Sequence, residues 1–276
     1  MTRASEIETG TEELQCQIEG RVAILTMNRP ERRNALSGPM MQGLRDALPV
    51  LASDPDIGCV ILTGAGKAFC AGGDVKSMAE GNPAGGPAPT IEGRVQSLLD
   101  SELAISATLH EMPKPTIAVL PGAAAGAGLS IALACDLRIA AESAILTTAF
   151  ARVGFSGDYG GSWFLSKLVG TARARELYFL SDRIDAKEAE RLGIVNRVVS
   201  DAALQDEARS LAKRIASGPP IAHQYMKANL NRALVSDLRT CLAAEASGMI
   251  RTGTTEDNRE AVLAFVKKRE PVFKGR

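Results

Sequence analysis

Histidine is nearly absent from this chain, and neither His110 nor His223 has a partner at ligand spacing, so a zinc site is not expected. The five cysteines, Cys16, Cys59, Cys70, Cys135 and Cys241, contain no C-x-x-C pair and are odd in number. That argues against a disulfide framework and for a reducing, cytoplasmic setting. Neither sign of charge is in excess, Lys plus Arg and Asp plus Glu being 32 each, and no basic cluster stands out. Nothing therefore steers the chain toward nucleic acid or a membrane surface. No apolar run approaches the length of a membrane span, and residues 1–13 are too polar for a secretory leader. What remains, 276 residues of which 45% are hydrophobic, suits a soluble globular chain with one large core or two unequal ones.

Residues 14–18 and 22–27 are strand-like and flank Glu19-Gly20, the pattern of a hairpin ended by Asn28-Arg29-Pro30. Ser37 is a plausible N-cap for a helix carrying Met40, Leu44, Ala47, Leu48 and Leu51 at helical spacing. The short apolar run 59–63 reads as a strand buried on both faces. Residues 81–89, rich in Gly and Pro, predict a surface loop, with a lid over a site as the functional alternative; the wider 76–97 stretch is a candidate pocket wall. Helical spacing returns from Val95 to Leu109. Later, Asp185 to Glu188 has the form of a capping box, Gly193 suits a helix end, and 195–199 reads as a strand. From Asp201 about four helices are expected. The apolar face along Leu234, Leu238, Leu242 and Met249 either covers the core or meets another subunit.

Two glycine-rich segments each follow an apolar strand. One runs from Gly64 to Asp74, and the other from Gly122 into a helix-forming stretch ending at Asp136. Gly126 and Gly128 permit unusual backbone angles, and the small side chains let a ligand approach main-chain N–H groups at a helix start, where the dipole adds positive potential. Such a segment is either a tight turn packed under a helix or a site for a phosphate, carboxylate or oxyanion. Two of them could bring separate main-chain donors to one point, which is what an oxyanion hole needs. Gly128-Leu-Ser130-Ile-Ala lacks the glycine of a nucleophile elbow, and no histidine is spaced to serve Ser130 as a base. A dinucleotide fingerprint is also missing its third glycine. Asp136 reads as a structural anchor.

The chain resembles the enoyl-CoA hydratase/isomerase, or crotonase, superfamily, and the motifs that carry the resemblance occur in the family's order. They are Asn-Arg-Pro (28–30) with Asn-Ala-Leu (34–36), Val-Ile-Leu-Thr-Gly (60–64) with Ala-Phe-Cys-Ala-Gly-Gly-Asp (68–74), and Lys-Pro-Thr-Ile-Ala (114–118). Gly-Ala-Ala-Ala-Gly-Ala-Gly (122–128) with Ala-Cys-Asp (134–136), Arg-Ile-Asp-Ala-Lys-Glu-Ala (183–189) and Phe-Val-Lys-Lys-Arg (265–269) complete the set. The resemblance implies an α/β fold, a crotonase-type spiral of ββα repeats over residues 1–200, followed by a C-terminal helical trimerisation region over 201–276. It implies homotrimers or hexamers and an acyl-CoA substrate, with coenzyme A entering as part of the thioester and no permanently bound cofactor or metal. It assigns the oxyanion N–H groups to Gly73 and Ala127, and CoA contacts to Arg29, Ala71, Gly72, Asp74, Gly126 and Lys268.

The departures from the family pattern are as informative. Its hydratases use two glutamates to position and deprotonate water, and in register those positions here are Ser130 and Phe150. One carboxylate remains in a suggestive place, Asp158, at the position that resembles the acid/base aspartate of the family's isomerases. An isomerase needs a single base that takes a proton at one carbon and returns it at another. A pocket wall of Ser130, Phe150, Phe155, Tyr159 and Trp163 is expected to raise the pKa of Asp158 by desolvation. The alternative role for Asp158 is to cap the helix that follows. The expected activity is isomerisation of a double bond or ring epoxide of a CoA ester; hydratase-like activity and non-catalytic acyl-CoA binding are the alternatives.

Overall fold

The computed structural model describes residues 5–74 and 90–276. The stretch 81–89 and most of the proposed 76–97 wall lie outside the described residues, as do 1–4. Eleven strands form two sheets among the described residues. In order along the chain they are β1 (Ser5–Ile7), β2 (Leu14–Glu19), β3 (Val22–Met27), β4 (Cys59–Gly64), β5 (Ala68–Cys70) and β6 (Thr116–Leu120). Then come β7 (Ala123–Ala125), β8 (Leu137–Ala141), β9 (Ile145–Thr147), β10 (Ile184–Asp185) and β11 (Arg197–Val199). The large sheet has the order β1-β2-β3-β4-β6-β8-β11 and the small one β10-β9-β7-β5. The first three strands pair antiparallel, with Glu19 opposite Val22 as the hairpin requires, and the large sheet continues parallel from β3 to β11.

The spiral follows from this order. Each of the pairs β4 and β5, β6 and β7, and β8 and β9 adds one strand to each sheet and is followed by a helix: Ile91–Glu102 with its extension, Ala127–Ala134, and Gly161–Leu180. The repeated unit is therefore strand, strand, helix, and parallel neighbours arise because every unit runs the same way. Residues 123–125, expected to be a turn alone, form β7 of the small sheet, paired with β5 and β9.

Local signals place the elements. Ser37 accepts a hydrogen bond from the Met40 N–H at 3.2 Å and starts the helix Gly38–Ser53; Asp185 accepts from the Glu188 N–H at 2.8 Å and starts Ala186–Arg191. Every residue of β4 is buried because both faces are covered. Val60 and Leu62 enter the main core between the sheets, whereas Cys59 and Ile61 face a second cluster under the helix Leu204–Ala216, which buries Leu204, Ala208, Ala212 and Ala216 at every fourth position. The strand expected over 195–199 begins only at Arg197, since the Val195 and Ile194 N–H groups are bonded to the Ala189 carbonyl.

Four helices follow residue 203, as the spacing predicts. Leu238, Leu242 and Met249 are exposed, so in the single chain this face does not cover the core. The helix Pro220–Ala233 instead sends Lys227 inward. Its ammonium donates to the carbonyls of Leu109 and Lys114 at 2.9 and 3.0 Å and to Asp136 at 2.8 Å, and Asp136 also accepts from the Thr116 N–H and hydroxyl. Asp136 is thus the anchor expected of it, joining β6, the end of Ala127–Ala134 and a C-terminal helix. Removing the cation leaves a carboxylate and two carbonyls short of a donor, so Lys227→Met is expected to lower the unfolding free energy by about 3 kcal/mol, read by urea denaturation.

Candidate active site

The two glycine-rich bends meet. β5 ends at Cys70, and Leu36 forms an isolated parallel bridge with Gly73, its N–H donating to the Gly72 carbonyl at 2.8 Å. Gly72 has φ +88°, and a Cβ there would lie 2.8 Å from the Ala125 carbonyl oxygen and 3.4 Å from the Ala127 nitrogen. The first bend therefore runs directly against the start of the helix Ala127–Ala134. Ala127 is the first residue of that helix, so its N–H has no partner within it. Gly126, at φ +52° and ψ −128°, holds a conformation that only glycine adopts readily. Gly128 is needed for space rather than for its angles: a Cβ there would overlap the Cys70 carbonyl oxygen and lie 2.6 Å from the Cys70 Cβ.

Sequence reasoning missed the device that shapes the first bend. Asn34, fully buried at φ +56°, donates to the carbonyls of Ala65 and Ala68 at 3.0 and 2.8 Å and accepts from the Arg29 N–H at 2.9 Å. Its place in the Asn-Ala-Leu motif was the available signal. Arg29 in turn pairs with Asp74 at 3.4 Å and Glu13 at 3.5 Å, and donates to the Ala35 carbonyl at 2.7 Å. Arg29 and Asp74 are thus joined across the first bend, and Gly72 lies against Ala125 and Ala127, the residues on either side of Gly126. Lys268 is exposed, just beyond the last helix, Glu256–Val266.

Asp158 lies in the loop before Gly161–Leu180. It does not cap that helix, whose N-cap is Gly160 with no side-chain acceptor. Its Oδ1 is buried and, among the described residues, has no hydrogen-bond partner. Such an atom in a native fold calls for an explanation, and reactivity is one. Burial pushes the Asp158 carboxyl up to about 6, and the nearby charge of Glu102 adds to the rise. Asp158 in turn raises the buried Cys70 thiol, at the end of β5, and the Tyr178 phenol, both pushed up to about 12 mainly by burial. Asp158 is therefore close enough to bear on Cys70, whose carbonyl and Cβ border Gly128 of the second bend.

Ser130 is buried, its hydroxyl donating back to the Gly126 carbonyl at 3.3 Å. Together with Tyr178 it surrounds Gly161: a Cβ on that glycine would overlap Ser130 Oγ and lie 2.6 Å from the Tyr178 hydroxyl. Phe150 is buried, stacks on Tyr178 with centroids 5.8 Å apart, and lies near Gly126. Phe155, expected in the same wall, is 56% exposed in the single chain. Tyr178, not singled out in the sequence, takes its place. Tyr159 and Trp163 border a neighbouring open cavity of about 600 Å³, lined also by Leu103, His110, Phe164 and Glu102. His110 meets the edges of Trp163 and Phe164 at 5.3 Å, and burial lowers its pKa.

Among the described residues no three His, Cys, Asp or Glu side chains are grouped to hold a metal ion, and no helix is long and apolar enough to cross a membrane. Paired sheets built from repeated ββα units, with small-residue bends meeting beside a buried carboxyl, define a protein of the crotonase fold. A family model described as Enoyl-CoA hydratase/isomerase matches residues 17–276, and the chain belongs to that family. It is 37% identical over 253 residues to a short-chain-enoyl-CoA hydratase of Clostridium acetobutylicum, covering 91% of this chain and 94% of the relative. It is 38% identical over 259 residues to a 1,2-epoxyphenylacetyl-CoA isomerase of Escherichia coli, covering 94% and 97%. Among solved structures, an enoyl-CoA hydratase from Polaromonas sp. JS666 superposes with a TM-score of 0.87 at 34% identity, covering 94% of this chain and 99% of that one.

Proposed function

We propose that this enzyme isomerises a double bond or ring epoxide of a CoA thioester by moving a proton through Asp158, while the N–H groups of Gly73 and Ala127 hold the thioester oxygen. The observation that carries this reading is the buried Oδ1 of Asp158, unpartnered among the described residues and near Cys70 at the end of β5, in a chain where Ser130 and Phe150 stand at the positions that resemble the two hydratase glutamates. For a 3-enoyl ester the carboxylate takes the proton at C2, negative charge spreads onto the thioester oxygen as a dienolate, and the same proton returns at C4, leaving the 2-enoyl ester. Donors fixed in advance at that oxygen act where charge develops, which is where binding accelerates a reaction.

Coenzyme A arrives in this reading as part of the substrate, lying along Arg29, Ala71, Gly72, Asp74 and Gly126, with the acyl end directed toward the cavity beyond Tyr159 and Trp163. Lys268 is assigned to a CoA phosphate. Exposed apolar residues on the C-terminal helices, among them Leu238, Leu242 and Met249, are assigned to contacts between copies in a trimer or hexamer.

The deciding assay offers 3-enoyl-CoA and 2-enoyl-CoA esters to the purified protein. Conversion of the first to the second is expected; hydration of the 2-enoyl ester as the main reaction would overturn the isomerase reading. The base must be ionised to act, so kcat/KM for the 3-enoyl ester is expected to rise with pH and level off above about 6, the value toward which burial pushes Asp158. A rate limb at the usual carboxylate value would place the base elsewhere.

A further inference from the structure

We infer that Glu102 is a positioning residue for Asp158, pinning the peptide next to the acid and supplying the fixed negative charge that faces it. The inference rests on the proton-shuttle reading of Asp158. It starts from the backbone of the loop. Gly157, Tyr159 and Gly160 have φ of +116°, +49° and +73°, so three of the four residues around Asp158 sit in the left-handed half of conformational space. For Tyr159, which carries a Cβ, that costs about 1–2 kcal/mol. A segment of this shape does not hold itself in place; something outside it must.

Two consecutive residues of a distant helix do so. The Tyr159 N–H donates to Glu102 Oε1 at 2.8 Å, and the Tyr159 hydroxyl and Ser101 Oγ are hydrogen-bonded at 3.1 Å. Ser101 is steadied by Arg45, whose guanidinium donates to it at 3.3 Å. One helical turn thus grips both the peptide and the buried ring of the residue after Asp158, and the bond to a carboxylate is the stronger kind. Glu102 is also the last residue of Ile91–Glu102 before a π-helical turn, Leu103–Ala107, an irregularity that re-aims side chains and recurs at functional sites.

The electrostatics single out the same residue. The titratable groups facing Asp158 are Cys70 from β5, Tyr178 from Gly161–Leu180, Tyr159 from its own loop, and Glu102. Burial keeps Cys70 and Tyr178 neutral, and raises Tyr159, toward which Arg45 acts in the opposite sense. Among the described residues Glu102 is therefore the charge that bears on Asp158 near neutral pH.

The test compares Glu102→Gln with Glu102→Ala. The Asp158 carboxyl is titrated by 13C NMR, its signal assigned by its loss in Asp158→Asn, and kcat and KM are measured on a 3-enoyl-CoA ester. In Glu102→Gln the charge is gone but an amide oxygen still accepts from Tyr159. The Asp158 midpoint is expected to fall by about half a pH unit or more, because a negative neighbour no longer opposes ionisation. In Glu102→Ala the grip is also lost, and kcat is expected to fall about 10- to 100-fold at nearly constant KM, with Glu102→Gln recovering much of it. An unchanged Asp158 midpoint in Glu102→Gln, or a wild-type kcat in Glu102→Ala, overturns the inference. The titration needs no substrate: should Asp158→Asn prove fully active, the isomerase reading fails while the midpoint shift still reports on Glu102.

Discussion

Asp158→Asn is expected to lower kcat for a 3-enoyl-CoA ester by about 10³-fold or more, within the range that a positioned acid/base group contributes. The amide has nearly the shape of the carboxyl but neither takes nor returns a proton, so KM should change only a few-fold. The same substitution should make the fold more stable at alkaline pH. The folded-state pKa of Asp158 is raised above the unfolded value, so ionisation is disfavoured in the fold. The native state binds the proton more tightly, and stability falls as pH rises from the unfolded carboxylate value through about 6. An amide carries no such penalty. The urea midpoint of Asp158→Asn is thus expected to exceed that of the wild type at pH 8 and to match it near pH 4. Full isomerase activity in the variant would remove Asp158 from the chemistry, and a lower midpoint at pH 8 would show that the carboxylate has a stabilising partner.

The second large effect is expected at Gly128. Any Cβ there overlaps the carbonyl oxygen of Cys70 and crowds its Cβ, and neither belongs to the flexible end of a side chain. The helix start must then move away from β5, and in the proposed mechanism the Ala127 N–H leaves the thioester oxygen that it would share with the Gly73 N–H. Losing one fixed oxyanion donor costs about 10²–10³-fold in rate, and Gly128→Ala is expected to lose at least that much in kcat/KM along with some stability. Gly154→Ala is the matched control. That glycine also has a left-handed φ, +73°, but among the described residues nothing lies within 4 Å of its missing Cβ. It should show backbone strain of about 1–2 kcal/mol in urea unfolding and unaltered kinetics. Equal activity loss in both variants would mean that general destabilisation, and not the meeting of the two bends, is being measured.

Much of the scaffold was legible because its signals are local. Ser37 and Asp185 cap the helices they precede, and the first hairpin turns at Gly20-Arg21, one residue past the expected Glu19-Gly20. The continuous apolar run of β4 reports burial on both faces, because alternate residues serve two cores. The order of the motifs also carried the family, since a family pattern is itself a linear string. Other features left no such trace. Ala123–Ala125 has no strand propensity, and its pairing with β5 and β9 is imposed from outside. Gly128 could be read as a flexible position, although its neighbour across the fold, Cys70, is what demands it. Tyr178 and Glu102 lie 20 and 56 residues from Asp158 along the chain, and no spacing rule connects them to it.

The sequence by itself determined the caps, the first strands and the two small-residue bends, because each is encoded within a few neighbouring residues, while the repeated units and the place of Asp158 were implied by the family resemblance. Only the tertiary structure decided that the bends touch, that Phe155 is left exposed, and that Asp158 is desolvated beside Glu102. The physical reason is that burial and the field at a carboxyl are sums over every group packed around it, and the chain brings those groups together only when it folds.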